Sequence, residues 1–205
     1  MATRSAGKPK PVRKRKLAKT SVAKNKPVTA PSPRPVRKTA SAARSTQRDT
    51  QHAVEQFLFR QAELLDNQRW QDYVDLFTAD GIYWMPADRA DVTWDGVPSI
   101  FAEDRNLMTV RMRRVLHPDA WSQRPLWGTN HLVGNVIIES ESDQGDVVVR
   151  SRFHMLELRR DTVRHFGGSY VHHLKQTKDG YRIKLQRVDM TNAQAPFEYV
   201  LQVWV

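Results

Sequence analysis

The sequence predicts an α+β fold in which a curved, mixed but mainly antiparallel sheet wraps around about three helices, a cone fold, preceded by a disordered basic tail. Three observations support this prediction. Apolar residues recur at helical spacing between positions 54 and 77, the apolar period changes to two from position 131 onward, and positions 1–50 contain no aromatic residue. Helices followed by strands alone favour an α+β domain over alternating β-α units. We therefore assign residues 1–50 to the tail and residues 51–205 to one domain.

The tail carries most of the positive charge. Residues 1–50 hold 15 of the 33 Lys and Arg side chains and one acid, Asp49, whereas the remaining 155 residues have a formal charge of −3. Such a segment cannot offset an ordering cost of roughly 1–2 kcal/mol per residue, so we expect disorder. Lys and Arg attract phosphates, but the tail lacks the aromatic residues that stack on bases. A solvating tail is the favoured interpretation. The alternatives are a nucleic-acid partner, bound only through the tail, and an organelle transit peptide.

Composition also excludes several classes of protein. No run of 18 apolar residues and no secretory apolar segment occur, so we expect no membrane span and a cytoplasmic location. The sequence has no cysteine, which excludes disulfides, thiolate nucleophiles and iron–sulfur clusters held by this chain alone.

The first elements of the domain are two helices and a strand. An apolar stripe predicts a first helix that ends at the polar residues 66–69. Its members are Val54, Phe57, Leu58, Gln61 and Leu65. A second short helix is predicted by the same spacing in Trp70, Tyr73, Val74 and Phe77. The turn signal Asp80-Gly81 then precedes a strand over residues 82–86.

A third helix lies between two irregular stretches, residues 88–98 and 119–130. We expect Ser99 to cap this helix and His117-Pro118 to end it. Its predicted buried stripe consists of Phe101, Met108, Met112 and Val115. The second irregular stretch contains Trp121 and Trp127, so we expect it to pack against another surface.

The rest of the chain predicts antiparallel strands over residues 131–139, 147–159, 163–176 and 181–189. Gly167-Gly168 predicts a bulge or bend in the third of these strands. In the fourth, Ile183 and Leu185 are expected on one face and Gln186 on the other. The apolar residues 199–205 are expected to dock on the domain.

Seven histidines raise the question of a metal site. His172 and His173 are adjacent in a strand, so they point to opposite faces and cannot both bind one ion. His131, His154 and one of these two, with a carboxylate, could form a two-His-one-carboxylate iron site. No helical H-x-x-x-H or E-x-x-H pair fixes such a site locally. Hydrogen-bonded strand histidines are therefore the favoured interpretation, and we predict no metal ligand.

An acid/base pocket is the second candidate for chemistry. Asp66, Tyr83, Trp84, His131 and Asn135 could converge near the mouth of a cavity, where burial can shift a pKa towards neutrality. The favoured alternative makes Tyr83 and Trp84 core or interface aromatics and Asp66 the cap of a turn. No phosphate loop, dinucleotide fingerprint or nucleophile elbow occurs. We therefore predict no catalytic and no cofactor-binding residue.

Four segments of the domain occur in an order that matches one family. They read RQAELLDNQRWQDYVDLFTADGIYWMP, DRNLMTVRMRRV, WGTNHLVGNVIIES and FHMLELRR. With these segments, residues 54–205 resemble the small (beta) subunit of aromatic-ring-hydroxylating dioxygenases, whereas the basic tail lies outside the resemblance. The family often has basic residues where this chain has Gly128-Thr129-Asn130, so the contact with a large subunit is expected to differ in detail.

The resemblance implies a ketosteroid-isomerase-like (SnoaL-like) cone fold and a non-catalytic role. A ring-hydroxylating oxygenase needs a Rieske [2Fe–2S] cluster, held by two Cys and two His, and a mononuclear iron. Without cysteine, this chain resembles the partner of the catalytic large (alpha) subunit. The family assembles as three large and three small chains and receives electrons from a reductase or ferredoxin through the large subunit. The complex dihydroxylates or hydroxylates an aromatic compound during its degradation.

The domain contains more aromatic residues than one core of this size is expected to absorb, so we expect some of them at an interface. The candidates for contact with the large subunit are Tyr83, Trp84, Trp121, Trp127, His131 and Asn135. A stand-alone isomerase or dehydratase, using an acid/base pocket in the same fold, is the alternative function.

Overall fold

The computed structural model describes residues 37–194 and 201–205, with side chains from residue 47 onward in these ranges. This part of the chain forms three α-helices, a short 3-10 helix and six strands. Their bounds are α1 Arg37–Asp66, α2 Trp70–Val74, β1 Phe77–Pro86, β2 Ser99–Asp104, α3 Arg105–Leu116, the 3-10 helix Trp121–Gln123, β3 Gly128–Glu141, β4 Val147–Arg159, β5 Thr162–Thr177 and β6 Gly180–Met190.

The strands form one open sheet in the order β2-β1-β6-β5-β4-β3. Four neighbouring pairs are antiparallel, whereas β1 runs parallel to β6. Buried apolar residues from the three helices, from β1, β4, β5 and β6, and from residues 201–205 form a single core cluster. The predicted α+β fold, a mixed and mainly antiparallel sheet packed around helices, is confirmed.

The first helix is longer than its apolar stripe predicts. It begins at Arg37, so residues 37–50, which the prediction places in the tail, are helical. These residues contain neither Pro nor Gly, the two residues least compatible with a helix interior. Residues 1–36, the rest of the predicted tail, lie outside the described residues. None of the helices in the described ranges has the length and apolar character that crossing a bilayer requires.

The start of α3 differs from the prediction. Residues 99–104 form β2, an edge strand antiparallel to β1, so Ser99 does not cap the helix. The cap is Asp104, whose carboxylate accepts a hydrogen bond of 2.8 Å from the backbone N–H of Leu107. Phe101 lies in β2 and contacts the ring of Tyr83, with 6.2 Å between centroids. The other predicted stripe residues of α3 are buried, as expected.

The predicted bulge at Gly167-Gly168 is wrong, because the pairing of β5 with β4 is continuous through both residues. Gly168 has a different structural role. A Cβ atom at this position would lie 2.2 Å from the backbone oxygen of Asp189 on β6. The strand therefore requires glycine for the close approach of its neighbour.

A register shift occurs instead in the pairing of β5 with β6. The pairing shifts by one residue at Lys184, so the alternation of β6 changes phase there. Ile183 is fully buried as predicted, but beyond the shift Gln186 is fully buried and Leu185 is only half-buried. The predicted faces of these last two residues are therefore wrong.

Residues 201–205 dock on the domain as predicted, while residues 199 and 200 lie outside the described residues. The guanidinium group of Arg111 on α3 donates to the backbone oxygens of Gln202 and Val203, at 3.0 and 2.9 Å. It also forms an ion pair of 3.0 Å with Glu103, and that carboxylate accepts a hydrogen bond of 3.1 Å from the indole of Trp204. Arg111 therefore joins β2, α3 and the docked segment.

Candidate functional site

Asp66 and His131, two of the residues proposed for an acid/base pocket, are in direct contact. Asp66 is the last residue of α1, and His131 lies on the inner face of β3. Nδ1 of His131 is 2.5 Å from Oδ1 of Asp66, and the backbone N–H of His131 donates to Oδ2 at 2.8 Å. The hydroxyl of Thr129 donates to Oδ1 at 2.9 Å. We call Asp66, Thr129 and His131 the Asp66 cluster.

The surroundings of Asp66 favour its ionised form. Burial opposes the charge, but the hydrogen bonds and the charge of His131 and the hydroxyl of Thr129 outweigh burial, so the pKa of Asp66 is lowered. An ionised carboxylate accepts hydrogen bonds only, so Nδ1–H of His131 is the donor in their contact. This leaves Nε2 of His131 directed into the interior, where it has no hydrogen-bond partner in the described part of the chain.

The other three pocket candidates lie elsewhere. The hydroxyl of Tyr83 accepts a hydrogen bond of 3.3 Å from the backbone N–H of Val205. The indole N–H of Trp84 donates to Ser99 at 3.0 Å. Asn135 is exposed in an irregular part of β3 and has a left-handed φ of 52°. The structure therefore brings together Asp66 and His131 but places Tyr83, Trp84 and Asn135 in different surroundings.

A second buried polar cluster was not predicted as a site. The amide oxygen of Gln186 accepts hydrogen bonds from Nε2 of Gln61 and from the hydroxyl of Tyr73, at 3.0 and 2.9 Å. Nε2 of Gln186 donates to the backbone oxygen of Val205 at 3.3 Å. We call Gln61, Tyr73, Gln186 and Val205 the Gln186 cluster. In the sequence, only Gln61, a polar residue within the otherwise apolar stripe of α1, indicated the Gln186 cluster.

The histidines considered for a metal site do not converge. His131 and His172 lie on the inner face of the sheet, whereas the ring of His154 stacks on His165 at 5.3 Å on the opposite face. His172 is fully buried. This burial, with a smaller contribution from the charge of His173, lowers the pKa of His172 to about 3. Within residues 37–194 and 201–205, no group of three or more His, Cys, Asp or Glu side chains could hold a metal ion.

The space beside the Asp66 cluster is small. The cavity lined by His131, Tyr170 and His172 offers about 10 Å³ to a water-sized sphere. Pockets that bind organic ligands typically have volumes of about 300–1,000 Å³. The larger depressions, of about 530 and 660 Å³, have neither Asp66 nor His131 in their linings. The interior therefore holds an Asp–His pair without room for an organic substrate.

The candidates for contact with a partner differ in exposure. Trp121 is 76% exposed, so it does not pack within the domain, and its packing against a partner surface stays a prediction. Trp127 is 4% exposed and its ring lies 6.3 Å from that of Trp70. Tyr83, Trp84 and His131 are also buried within the chain, whereas Asn135 is exposed. A role in an interface stays a prediction for all six residues.

Comparison with known proteins identifies relatives of this chain in sequence and in structure. A family model described as "Ring hydroxylating beta subunit" matches residues 60–196. The chain is 32% identical to the anthranilate 1,2-dioxygenase small subunit of Acinetobacter baylyi, over 68% of this chain and 88% of that subunit. It is also 32% identical to the chlorobenzene dioxygenase subunit beta of a Cupriavidus species, over 51% of this chain but 60% of that subunit, less than two thirds of its length.

Among solved structures, the beta subunit of the benzoate 1,2-dioxygenase from Burkholderia mallei is similar in fold and sequence. It matches with a TM-score of 0.58 and 26% identity, over 72% of this chain and 95% of that chain. This match therefore spans nearly the whole length of the solved subunit.

Proposed function

Because the chain belongs to the family of ring hydroxylating beta subunits, we propose that it acts as the non-catalytic small subunit of an aromatic-ring-hydroxylating dioxygenase. The observation that carries the non-catalytic role is the filled interior. Beside Asp66 and His131 there is space on the scale of one water molecule, so an aromatic substrate cannot reach the pair. This argues against the alternative of a stand-alone isomerase or dehydratase, which would need a pocket at that position.

The partner of this chain is a large (alpha) subunit. The Rieske cluster and the mononuclear iron belong to that subunit, since a Rieske cluster requires cysteine ligands and this sequence has none. We propose further that three large and three small subunits form a hetero-hexamer and that a reductase or ferredoxin delivers electrons to the large subunit. We also propose a cytoplasmic location.

The relatives suggest which class of aromatic compound the complex accepts. The two relatives that match over 88% and 95% of their length belong to anthranilate and benzoate dioxygenases, whose names specify aromatic acids. The relative named for chlorobenzene, a compound without a carboxylate, matches over 60% of its length. We therefore infer that the large subunit that pairs with this chain hydroxylates an aromatic carboxylate.

Co-expression of the chain with a large subunit tests the proposal. The expected result is one species in size-exclusion chromatography with light scattering, with the mass of three plus three chains and with iron located in the large subunit. Product formation from benzoate or anthranilate, and not from benzene, would support the substrate class. A small subunit that elutes alone, without binding the large chain, would contradict the proposed role.

Two tryptophans provide a matched pair of variants for the interface. Trp121 is exposed, so Trp121→Ala should change the free energy of unfolding by no more than about 0.5 kcal/mol. If it anchors the large subunit, the same change should weaken assembly by about 2 kcal/mol or more, roughly thirtyfold in affinity. Trp127→Ala should instead lower the stability of the small subunit itself. Unchanged assembly of the Trp121 variant would remove this residue from the interface.

A further inference from the structure

A small cavity lies between the inner face of the sheet and the final turns of α1. We call it the inner cavity. Its polar lining comes from Gln61 on α1, His131 on β3, and Tyr170 and His172 on β5, and aliphatic side chains complete it. The available space, about 10 Å³ for a water-sized sphere, is at the lower limit of what one water molecule needs. Any larger ligand is excluded by size.

Unpartnered polar atoms are concentrated among the residues of this lining. Oε1 of Gln61, Nε2 of His131 and both ring nitrogens of His172 are buried without a hydrogen-bond partner in the described part of the chain. These three residues are 4%, 7% and 0% exposed, so bulk water does not satisfy them. Buried polar groups are nearly always hydrogen-bonded, either to protein or to an ordered water molecule.

The protein contacts of these residues define which atoms can donate and which can accept. Nε2 of Gln61 donates to Gln186, so Oε1 of Gln61 is a free acceptor. Nδ1–H of His131 donates to Asp66, so Nε2 is a second acceptor when the ring carries its proton on Nδ1 only. His172 is neutral, because burial keeps its pKa far below 7, so one of its ring nitrogens is an N–H donor and the other is an acceptor. When His131 carries its proton on Nδ1, the four unpartnered atoms are thus three acceptors and one donor.

One water molecule can bond to three of these four atoms, because it donates two hydrogen bonds and accepts up to two; the second ring nitrogen of His172 then stays without a partner in the described part of the chain. It can donate to Oε1 of Gln61 and Nε2 of His131 and accept from the N–H of His172. Ordered water molecules inside proteins typically make about three such bonds. If His131 is protonated, Nε2–H becomes a donor and the same water accepts from it.

We propose that the inner cavity is a binding site for a single ordered water molecule that bridges Gln61, His131 and His172. This water links the Asp66 cluster to the Gln186 cluster. The result is one continuous hydrogen-bond network through the core, from the end of α1 and the edge strand β3 to β6 and the backbone of Val205.

Two measurements on the full chain test this site. A crystal structure at about 1.5 Å resolution should show a density peak within hydrogen-bonding distance of the three named residues. In solution, ring protons of His131 and His172 should show NOE cross-peaks at the water frequency. A dry cavity in the crystal, or wild-type protein without these cross-peaks, would overturn the proposal.

A pair of alanine variants locates the water. Ala62 lines the inner cavity, so Ala62→Val should fill it and abolish both the density peak and the cross-peaks. Ala53 lies on the exposed side of the same helix, so Ala53→Val is the matched control and should retain both signals. Cross-peaks that persist in a folded Ala62→Val variant would place the water elsewhere and contradict the assignment. If the Ala62→Val variant does not fold, the density peak and the NOE cross-peaks of the wild-type protein alone test the proposed water site.

Discussion

Substitution of Arg111 is expected to destabilise the domain more than substitution of an exposed arginine. Its guanidinium group donates hydrogen bonds to the carboxylate of Glu103 and to two backbone oxygens of the docked segment. The group also lies 4.0 Å from the ring centroid of Phe101 and 4.9 Å from that of Trp204. The side chains of Arg111 and Glu103 are only 12% and 11% exposed. Arg111→Leu would therefore leave a buried carboxylate without its counter-charge and free the docked residues 201–205.

The magnitude follows from this burial. Breaking a buried ion pair by removing one partner costs about 3–5 kcal/mol, a large part of the 5–15 kcal/mol that is typical of whole domains. For a domain of this size, each kcal/mol lowers the melting temperature by about 2–4 °C, so we expect a loss of roughly 10 °C. Urea unfolding gives the change in free energy, and hydrogen exchange should show faster exchange at residues 201–205.

Two further variants separate charge from packing. In the double variant Glu103→Gln/Arg111→Leu no carboxylate remains to be buried, so it should recover about 1–3 kcal/mol relative to Arg111→Leu alone. Arg113→Leu, an exposed position on the same helix, is the control and should change stability by no more than about 0.5 kcal/mol. The reasoning is refuted if the free energy of unfolding of Arg111→Leu lies within about 1 kcal/mol of the wild-type value, roughly the contribution of one ordinary hydrogen bond, and exchange at residues 201–205 is unchanged.

Three further predictions concern the interior. Asp66→Asn should lower the free energy of unfolding by about 1–3 kcal/mol at pH 7, as measured by urea unfolding. Because the pKa of Asp66 in the folded protein is lowered from 3.8, the extra stability of the wild type is complete above pH 3.8 and should disappear as the pH falls through the lowered pKa. A stability difference that does not change with pH would contradict this. Gly168→Ala should destabilise by about 3 kcal/mol or more, since its Cβ would clash with Asp189, while Gly128→Ala, with open space around it, should be tolerated in thermal melts. Trp127→Ala should cost about 3–5 kcal/mol in urea unfolding; a loss below about 1 kcal/mol would indicate a surface role instead.

Periodicity in the sequence predicted the elements whose faces are set by apolar side chains alone. Strand β4 is predicted and observed over residues 147–159, with Val149 and Phe153 on the same buried face. A shift of one residue there would expose that whole face, so the alternation specifies its register. In β6 the alternation of apolar and polar residues predicts the buried face correctly only before Lys184. Beyond Lys184, the side chains that face the core depend on the register in which β5 pairs with β6.

Predictions failed where a distant partner decides between two local choices. Ser99 and Asp104 are both good helix caps, and the choice of Asp104 follows from the pairing of residues 99–104 with β1. Gln61 and Gln186 are buried because they hydrogen-bond to each other across 125 positions in the sequence. No local pattern contains that information. The sequence suggested an approach of Asp66 to His131 only within the less favoured pocket hypothesis, and the size of such a pocket depends on the packing of α1 against the sheet.

The interior explains why a cone fold can serve as a scaffold. General acid–base catalysis needs a reacting group within about 3 Å of the base and a pocket that holds the rest of the substrate. Here Asp66 orients His131 as a base would require, yet Nε2 of His131 faces a cavity of about 10 Å³. The same contacts also tie α1 to the edge strand β3, which bears the exposed Asn135. An arrangement that could activate a substrate in a larger cavity therefore stabilises, in this chain, the strand that carries part of the predicted partner surface.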